Sequence, residues 1–123
     1  MRKPKPLKAH VIGKKVGWRL RKLRQVYGWQ EKQIARRIGV SPSSWTKYEK
    51  GQQIILPVKA SKVLCETGAT LDWIYLGTIT AMPPILLRRI EAVTELANRF
   101  AFGIQRQRND VRASGDAPIE RRW

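Results

Sequence analysis

Apolar residues recur at helical spacing in the first third of the chain. They are separated by four, three and four residues: Val16, Leu20, Leu23 and Tyr27. This spacing predicts an amphipathic helix over residues 14–27 that ends at Gly28. A second apolar set, made of Ile34, Ala35 and Ile38, predicts a helix over residues 30–38 that ends at Gly39.

A third, shorter helix is predicted over residues 42–50. Ser41 is a favoured N-cap residue, and Pro42 suits the first helical position, where a backbone N–H is not needed. Helical phase turns one set of side chains inward: Trp45, Tyr48 and Glu49. It leaves small hydroxyls and a lysine on the outside: Ser43, Ser44, Thr46 and Lys47. Two helices joined by a short turn, the second one polar, are typical of a helix-turn-helix.

Two segments also carry a family resemblance. The segment WQEKQIARRIGVSPSSWTKYEKG, residues 29–51, resembles the helix-turn-helix of the lambda-repressor-like (Cro/XRE-type) DNA-binding domains. The segment ATLDWIYLG, residues 69–77, is similar to the closing motif of the same family. The resemblance implies an all-α, five-helix DNA-binding domain over residues 14–77, with further helices near residues 58–67 and 71–76.

The charge distribution favours a polyanionic partner. The formal net charge is +16, far more than solubility requires. Residues 1–51 hold 15 Lys and Arg residues against two acids, Glu31 and Glu49. Residues 1–13 are predicted to form a basic, flexible arm that follows DNA phosphates. Together with the family resemblance, this charge makes double-stranded DNA the expected partner.

Other classes of protein lack support in the sequence. The single cysteine, Cys65, excludes an internal disulfide and a Cys-rich metal site, and its helical context predicts a core position. Only one histidine, His10, is present, and no set of residues suggests a catalytic centre. No apolar run is long enough for a membrane span. The sequence therefore predicts a non-enzymatic protein without metal, cofactor or membrane partner, located in the cytoplasm and associated with the nucleoid.

The resemblance implies that the helix over residues 42–50 enters the major groove of DNA. We expect its outward side chains to read bases, with Pro42 limited to contact with a thymine methyl group: Pro42, Ser43, Thr46 and Lys47. Other polar residues are expected to bind phosphates: Gln30, Arg36, Ser41, Ser44, Lys50, Gln52 and Gln53. Glu31 stands where the family usually has a phosphate-binding glutamine, so it should repel phosphate. The family pattern also implies a partly buried ion pair between Arg24 and Glu49.

The region after Gly77 departs from the family pattern. Residues 78–106 are predicted to form a linker and an amphipathic helix that starts at Pro83–Pro84. Its apolar residues follow a heptad spacing, which predicts a homodimerisation seam: Leu86, Ile90, Val93, Ala97, Phe100 and Ile104. The alternative is that this helix folds back onto its own domain. Residues 107–123 are polar and predicted to be disordered.

Together these features predict a homodimeric, sequence-specific transcriptional regulator that binds duplex DNA, such as a repressor. Two alternatives stay open. The first is a protein-interaction module on the same fold, an antiactivator or an antitoxin, whose C-terminal helix captures a protein partner. The second is a basic RNA-binding or ribosome-associated factor.

Overall fold

The computed structural model describes residues 8–109, with side chains through residue 99, and contains six α-helices and no strand within that range. In chain order they are α1 (Ala9–Tyr27), α2 (Glu31–Ile38), α3 (Pro42–Lys50), α4 (Pro57–Thr67), α5 (Leu71–Leu76) and α6 (Pro84–Asn109). This architecture confirms the predicted fold class, an all-α, five-helix domain with an additional C-terminal helix. The predicted bounds of α2 to α5 agree with the structure to within one residue.

The start of α1 corrects one prediction. The helix begins at Ala9, so residues 9–13, which were expected to belong to a flexible arm, are helical. Tertiary contacts stabilise these additional turns, since Gly13 is buried and Ile12 packs against the hydrophobic core. The remainder of the predicted arm, residues 1–7, lies outside the described residues. The tail predicted to be disordered from residue 107 is helical over residues 107–109, where α6 ends, and residues 110–123 lie outside the described residues.

All six helices contribute to one hydrophobic core. Its largest fully buried side chains come from every helix and, in the case of Ile55, from the segment between α3 and α4: Trp45, Trp73, Leu20, Leu23, Ile34, Ile38, Ile55, Ile74, Ile90, Val16 and Val63. Trp45 therefore faces inward, as its helical phase predicted. Cys65, in contrast, is exposed on α4. The prediction that it lies in the core was therefore wrong.

The beginning of α6 belongs to the domain core. Leu86 and Ile90 are buried in the same hydrophobic cluster as Met82, and α6 packs against α1. These two residues were assigned to a dimer seam, and the structure corrects that assignment because their apolar surface is already covered by their own domain. Further along, Val93 is half-buried and Ala97 is exposed. The side chains of Phe100 and Ile104 lie outside the described residues.

A buried arginine joins α1 to the end of α5. Arg19 is 3% exposed, and its Nη1 donates to the backbone oxygen of Ile74 at 3.1 Å. The last carbonyls of a helix have no partner within the helix, so this contact satisfies one of them inside the protein. Burial lowers the pKa of Arg19, because desolvation disfavours its charged form.

No helix in the part of the chain that the structure describes is both long enough and apolar enough to cross a membrane.

Candidate nucleic-acid interface

The N-terminus of α3 is fixed by a serine cap. The Ser41 hydroxyl accepts a hydrogen bond from the backbone N–H of Ser44 at 3.1 Å. The same hydroxyl lies 2.9 Å from Ser44 Oγ and 3.2 Å from Ser43 Oγ. Pro42 occupies the first helical position, as predicted. The cap thus orients three exposed or half-buried hydroxyls at one end of the helix.

The C-terminal end of α3 is anchored by Glu49, whose side chain is only 3% exposed. Arg24 donates two hydrogen bonds to this carboxylate, from Nε to Oε2 at 2.6 Å and from Nη2 to Oε1 at 3.1 Å. Trp45 Nε1 also donates to Oε2, and Arg21 Nε lies 3.4 Å from Oε1. The hydrogen bond to Glu49 raises the pKa of Arg24. The predicted Arg24–Glu49 pair is therefore present, and it holds α3 against α1.

Two glycines bring the backbones of α1 and α3 into contact. A Cβ atom at Gly17 would lie 2.5 Å from the backbone oxygen of Glu49. A Cβ at Gly13 would lie 2.8 Å from the backbone oxygen of Gly51, just past the end of α3. No other residue fits at either position without movement of the backbone. This contact was not among the features predicted from the sequence, although the spacing of four residues between the two glycines was a visible signal.

The turn between α2 and α3 has a conformation suited to glycine. Gly39 has φ of 76° and ends α2, as predicted. Its backbone oxygen accepts a hydrogen bond from Lys59 Nζ at 3.2 Å, which ties α4 to the turn. Ala35 is fully buried where the neighbouring helices approach. The angle between α2 and α3 is thus set by backbone geometry and by small residues.

Glu31 has a role that differs from the expected one. The Thr46 hydroxyl donates to the Glu31 carboxylate and also lies 3.0 Å from the backbone oxygen of Pro42. The acid expected to repel phosphate therefore links α2 to α3. In turn, Thr46 has its only hydroxyl hydrogen engaged within the protein, so it can donate to a base only by giving up that bond.

An aromatic stack supports the turn that precedes α2. The rings of Tyr27 and Trp29 lie 4.7 Å apart at an interplanar angle of 15°, and the Arg37 guanidinium lies 4.5 Å from the Trp29 ring centre. Tyr27 also donates from its hydroxyl to the backbone oxygen of Thr67 at 2.9 Å. These contacts were not predicted from the sequence, and they fix the segment leading to Gln30.

The structure leaves most of the predicted DNA-binding residues accessible. Nine are exposed: Gln30, Arg36, Ser41, Pro42, Ser43, Lys47, Lys50, Gln52 and Gln53. The other two, Ser44 and Thr46, are half-buried. Since α3 buries Trp45, Tyr48 and Glu49, its exposed side is polar and basic. Among the described residues, no group of His, Cys, Asp and Glu is arranged to hold a metal ion.

Comparison with known families agrees with this geometry. Residues 15–72 match a family described as a helix-turn-helix domain, which confirms the resemblance noted in the sequence. The match leaves out the first turns of α1, most of α5 and all of α6. No significant match to a curated protein or to a solved structure was found.

Proposed function

We propose that this chain, whose residues 15–72 match a helix-turn-helix domain family, is a transcriptional regulator that reads duplex DNA by placing α3 in the major groove. The observation that carries the proposal is the construction of α3. It is capped at its start, anchored through Glu49 at its end, and polar and basic on the side that faces solvent. A helix this short is marginal in isolation, so the domain serves as the scaffold that presents it.

Base reading is assigned to the exposed side of α3. Lys47 can donate to the guanine acceptors that line the major groove, and Ser43 supplies a small hydroxyl. Pro42 offers an apolar surface for a thymine methyl group. Thr46 contributes less than the sequence suggested, because its hydroxyl already bonds to Glu31. The number of direct base contacts is therefore small, and specificity should rest on a few positions.

Phosphate binding is assigned to the residues around α3. Four of them are exposed, on α2, at the end of α3 and on the segment that follows α3: Arg36, Lys50, Gln52 and Gln53. Gln30, which precedes α2, can donate to a phosphate from its side-chain amide. Ser41 and Ser44 lie at the capped start of α3, where backbone N–H groups favour anions. Such contacts position the protein without reading sequence.

The proposed active species is a homodimer that pairs through the distal part of α6. This helix continues to Asn109, and Ile90 is the last fully buried residue among its described side chains, which end at residue 99. On the continuation, Leu96 is 69% exposed and Ala97 is also exposed. Two such helices packed together would cover this apolar surface, and two domains would then contact half-sites about 34 Å apart.

Selection of bound sites from a random duplex pool tests the proposed function. We expect recovery of a short motif repeated in two half-sites, and an affinity that falls linearly with salt on a log–log plot. A structured RNA of equal charge serves as competitor. Tighter binding to that RNA than to the selected duplex, or failure to enrich any motif, would contradict the proposal.

A further inference from the structure

A row of exposed polar side chains runs along α1 beside its contact with α3. The row consists of His10, Lys14, Arg21 and Gln25, all of them exposed. These residues fall on one stripe because successive residues of an α-helix are rotated by about 100°. No acidic residue occurs anywhere in α1. We refer to these four residues as the α1 row.

The α1 row is rigidly placed relative to α3. Gly13 and Gly17 lie next to the row and make the backbone contact with the end of α3. A Cβ at Gly51 would lie only 2.8 Å from the backbone nitrogen of Lys14, so Lys14 stands directly beside the residue that ends α3. Arg21 lies within 3.4 Å of Glu49, and 45% of its side chain remains exposed. The row and α3 must therefore move as one body.

The neighbours of the α1 row at the end of α3 are also polar and exposed. Lys50 and Gln52 flank Gly51, and both were assigned above to phosphates. Lys14 and Arg21 are seven residues apart, which is about 10 Å along the helix axis. That distance is similar to the axial rise of about three successive phosphates on one DNA strand.

Resting on the function proposed above, we infer that the α1 row is a second binding surface for the DNA backbone, which continues the phosphate contacts of residues 50–53 along α1. Its ligand is a run of phosphates on one strand, held by the Lys14 ammonium group and by the guanidinium donors that Arg21 does not use on Glu49. The row supplies affinity and fixes the orientation of α3, and it reads no bases.

Adjacent lysines provide a matched test. Lys14 belongs to the α1 row, whereas Lys15 is equally charged and also exposed but lies about 100° further around the helix. The experiment compares the wild-type protein, Lys14→Gln and Lys15→Gln in binding to a random-sequence duplex over a series of salt concentrations. Loss of one phosphate contact should reduce the magnitude of the log–log salt slope by about 0.9. We expect this change in Lys14→Gln and no change in Lys15→Gln.

A double variant enlarges the expected effect. Lys14→Gln/Arg21→Gln should reduce the slope by about 1.8, and Lys15→Gln/Arg88→Gln, which removes the same charge, should leave it unchanged. In Lys14→Gln/Arg21→Gln, Arg24 and Trp45 still donate to the Glu49 carboxylate. Thermal unfolding of both double variants verifies that they are folded. Acetylation of lysine amines gives an independent readout, in which duplex DNA should protect Lys14 more than Lys15.

The outcomes separate this inference from the proposed function. If the wild-type protein binds duplex but the lysine variants have equal slopes, the α1 row is not a binding surface, although the proposed function stands. Equal protection of Lys14 and Lys15 would likewise overturn the inference. If the wild-type protein fails to bind duplex at all, both the proposed function and the inference are wrong.

Discussion

At the scale of single residues, Glu49 is the side chain that ties α3 to α1. Its carboxylate is bound by Arg24 and Arg21 of α1 and by Trp45 of its own helix. Removal of one partner from a buried pair leaves the other charge without compensation, at a cost of about 3–5 kcal/mol. We therefore expect Glu49→Ala to lower the free energy of unfolding by about that amount in urea denaturation.

A double-mutant cycle provides the control for Glu49. Arg24→Ala/Glu49→Ala should cost less than the sum of the two single substitutions, because neither charge is then left behind. Strict additivity, or a Glu49→Ala protein as stable as wild type, would show that the pair contributes nothing to the stability of the domain.

Lys47 is the residue on which base specificity should depend most. Its side chain is exposed on α3 and does not take part in the network around Glu49. We expect Lys47→Ala to relax the preference at a single base step, with a loss of about 1–3 kcal/mol at the favoured site. Comparison of site-selection profiles checks this result. Lys50→Ala, one turn later in α3, serves as the control and should weaken binding to all sequences alike. If Lys47→Ala also weakened binding to all sequences equally, Lys47 would instead be a phosphate contact.

At the scale of helices, the crossing of α1 and α3 depends on Gly17. Alanine is the better helix former by roughly 1 kcal/mol, so propensity alone predicts that Gly17→Ala is stabilising. The structure predicts the opposite, because the added Cβ would meet the backbone oxygen of Glu49. Overpacking of this kind typically costs about 1–3 kcal/mol. We expect a lower melting temperature for Gly17→Ala by circular dichroism.

An exposed position on the same helix gives the control for Gly17. Gln25→Ala also replaces a residue of α1 with alanine, but Gln25 is exposed and no tertiary hydrogen bond involves it in the described part of the chain. Its melting temperature should stay close to that of the wild type. A Gly17→Ala protein that is as stable as Gln25→Ala would mean that α1 and α3 can separate at little cost.

At the scale of the whole molecule, the first turns of α6 are buried in the domain and its described distal part is more exposed. Its first turns complete the domain core, and its distal part is assigned to pairing with a second copy. Because Leu96 and Ala97 are exposed in the single chain, Leu96→Asp/Ala97→Asp should leave the domain folded. We expect sedimentation to show a dimer for the wild type and a monomer for this variant, which should bind only weakly to a single half-site.

The contrasting variant for α6 is Ile90→Asp. Ile90 is fully buried, so this substitution should unfold the domain rather than yield a folded monomer. If Leu96→Asp/Ala97→Asp still sediments as a dimer, the pairing surface lies elsewhere on the molecule.

The sequence by itself determined the features that depend on neighbours a few residues apart. The bounds of α3 follow from the Ser41 cap, from Pro42 and from the glycine that ends the helix, all of which act within one or two turns. The inward position of Trp45 follows from helical phase alone. The Arg24–Glu49 pair was also predictable, since one acid in a strongly basic segment matched a family position.

Only the tertiary structure decided how distant segments meet. Helical phase places the apolar residues Leu86 and Ile90 on one side of α6. Such an apolar stripe can pack equally well against a second copy or against the chain's own α1. In this structure both residues are buried in the core of their own domain. The same holds for Glu31, whose partner, Thr46, lies fifteen residues away on another helix. The sequence around Gly13 gave no local reason to extend α1 to Ala9, because the contact that stabilises those turns comes from the end of α3. Periodicity specifies which side of a helix is buried, whereas the partner that buries it depends on how all the helices pack together.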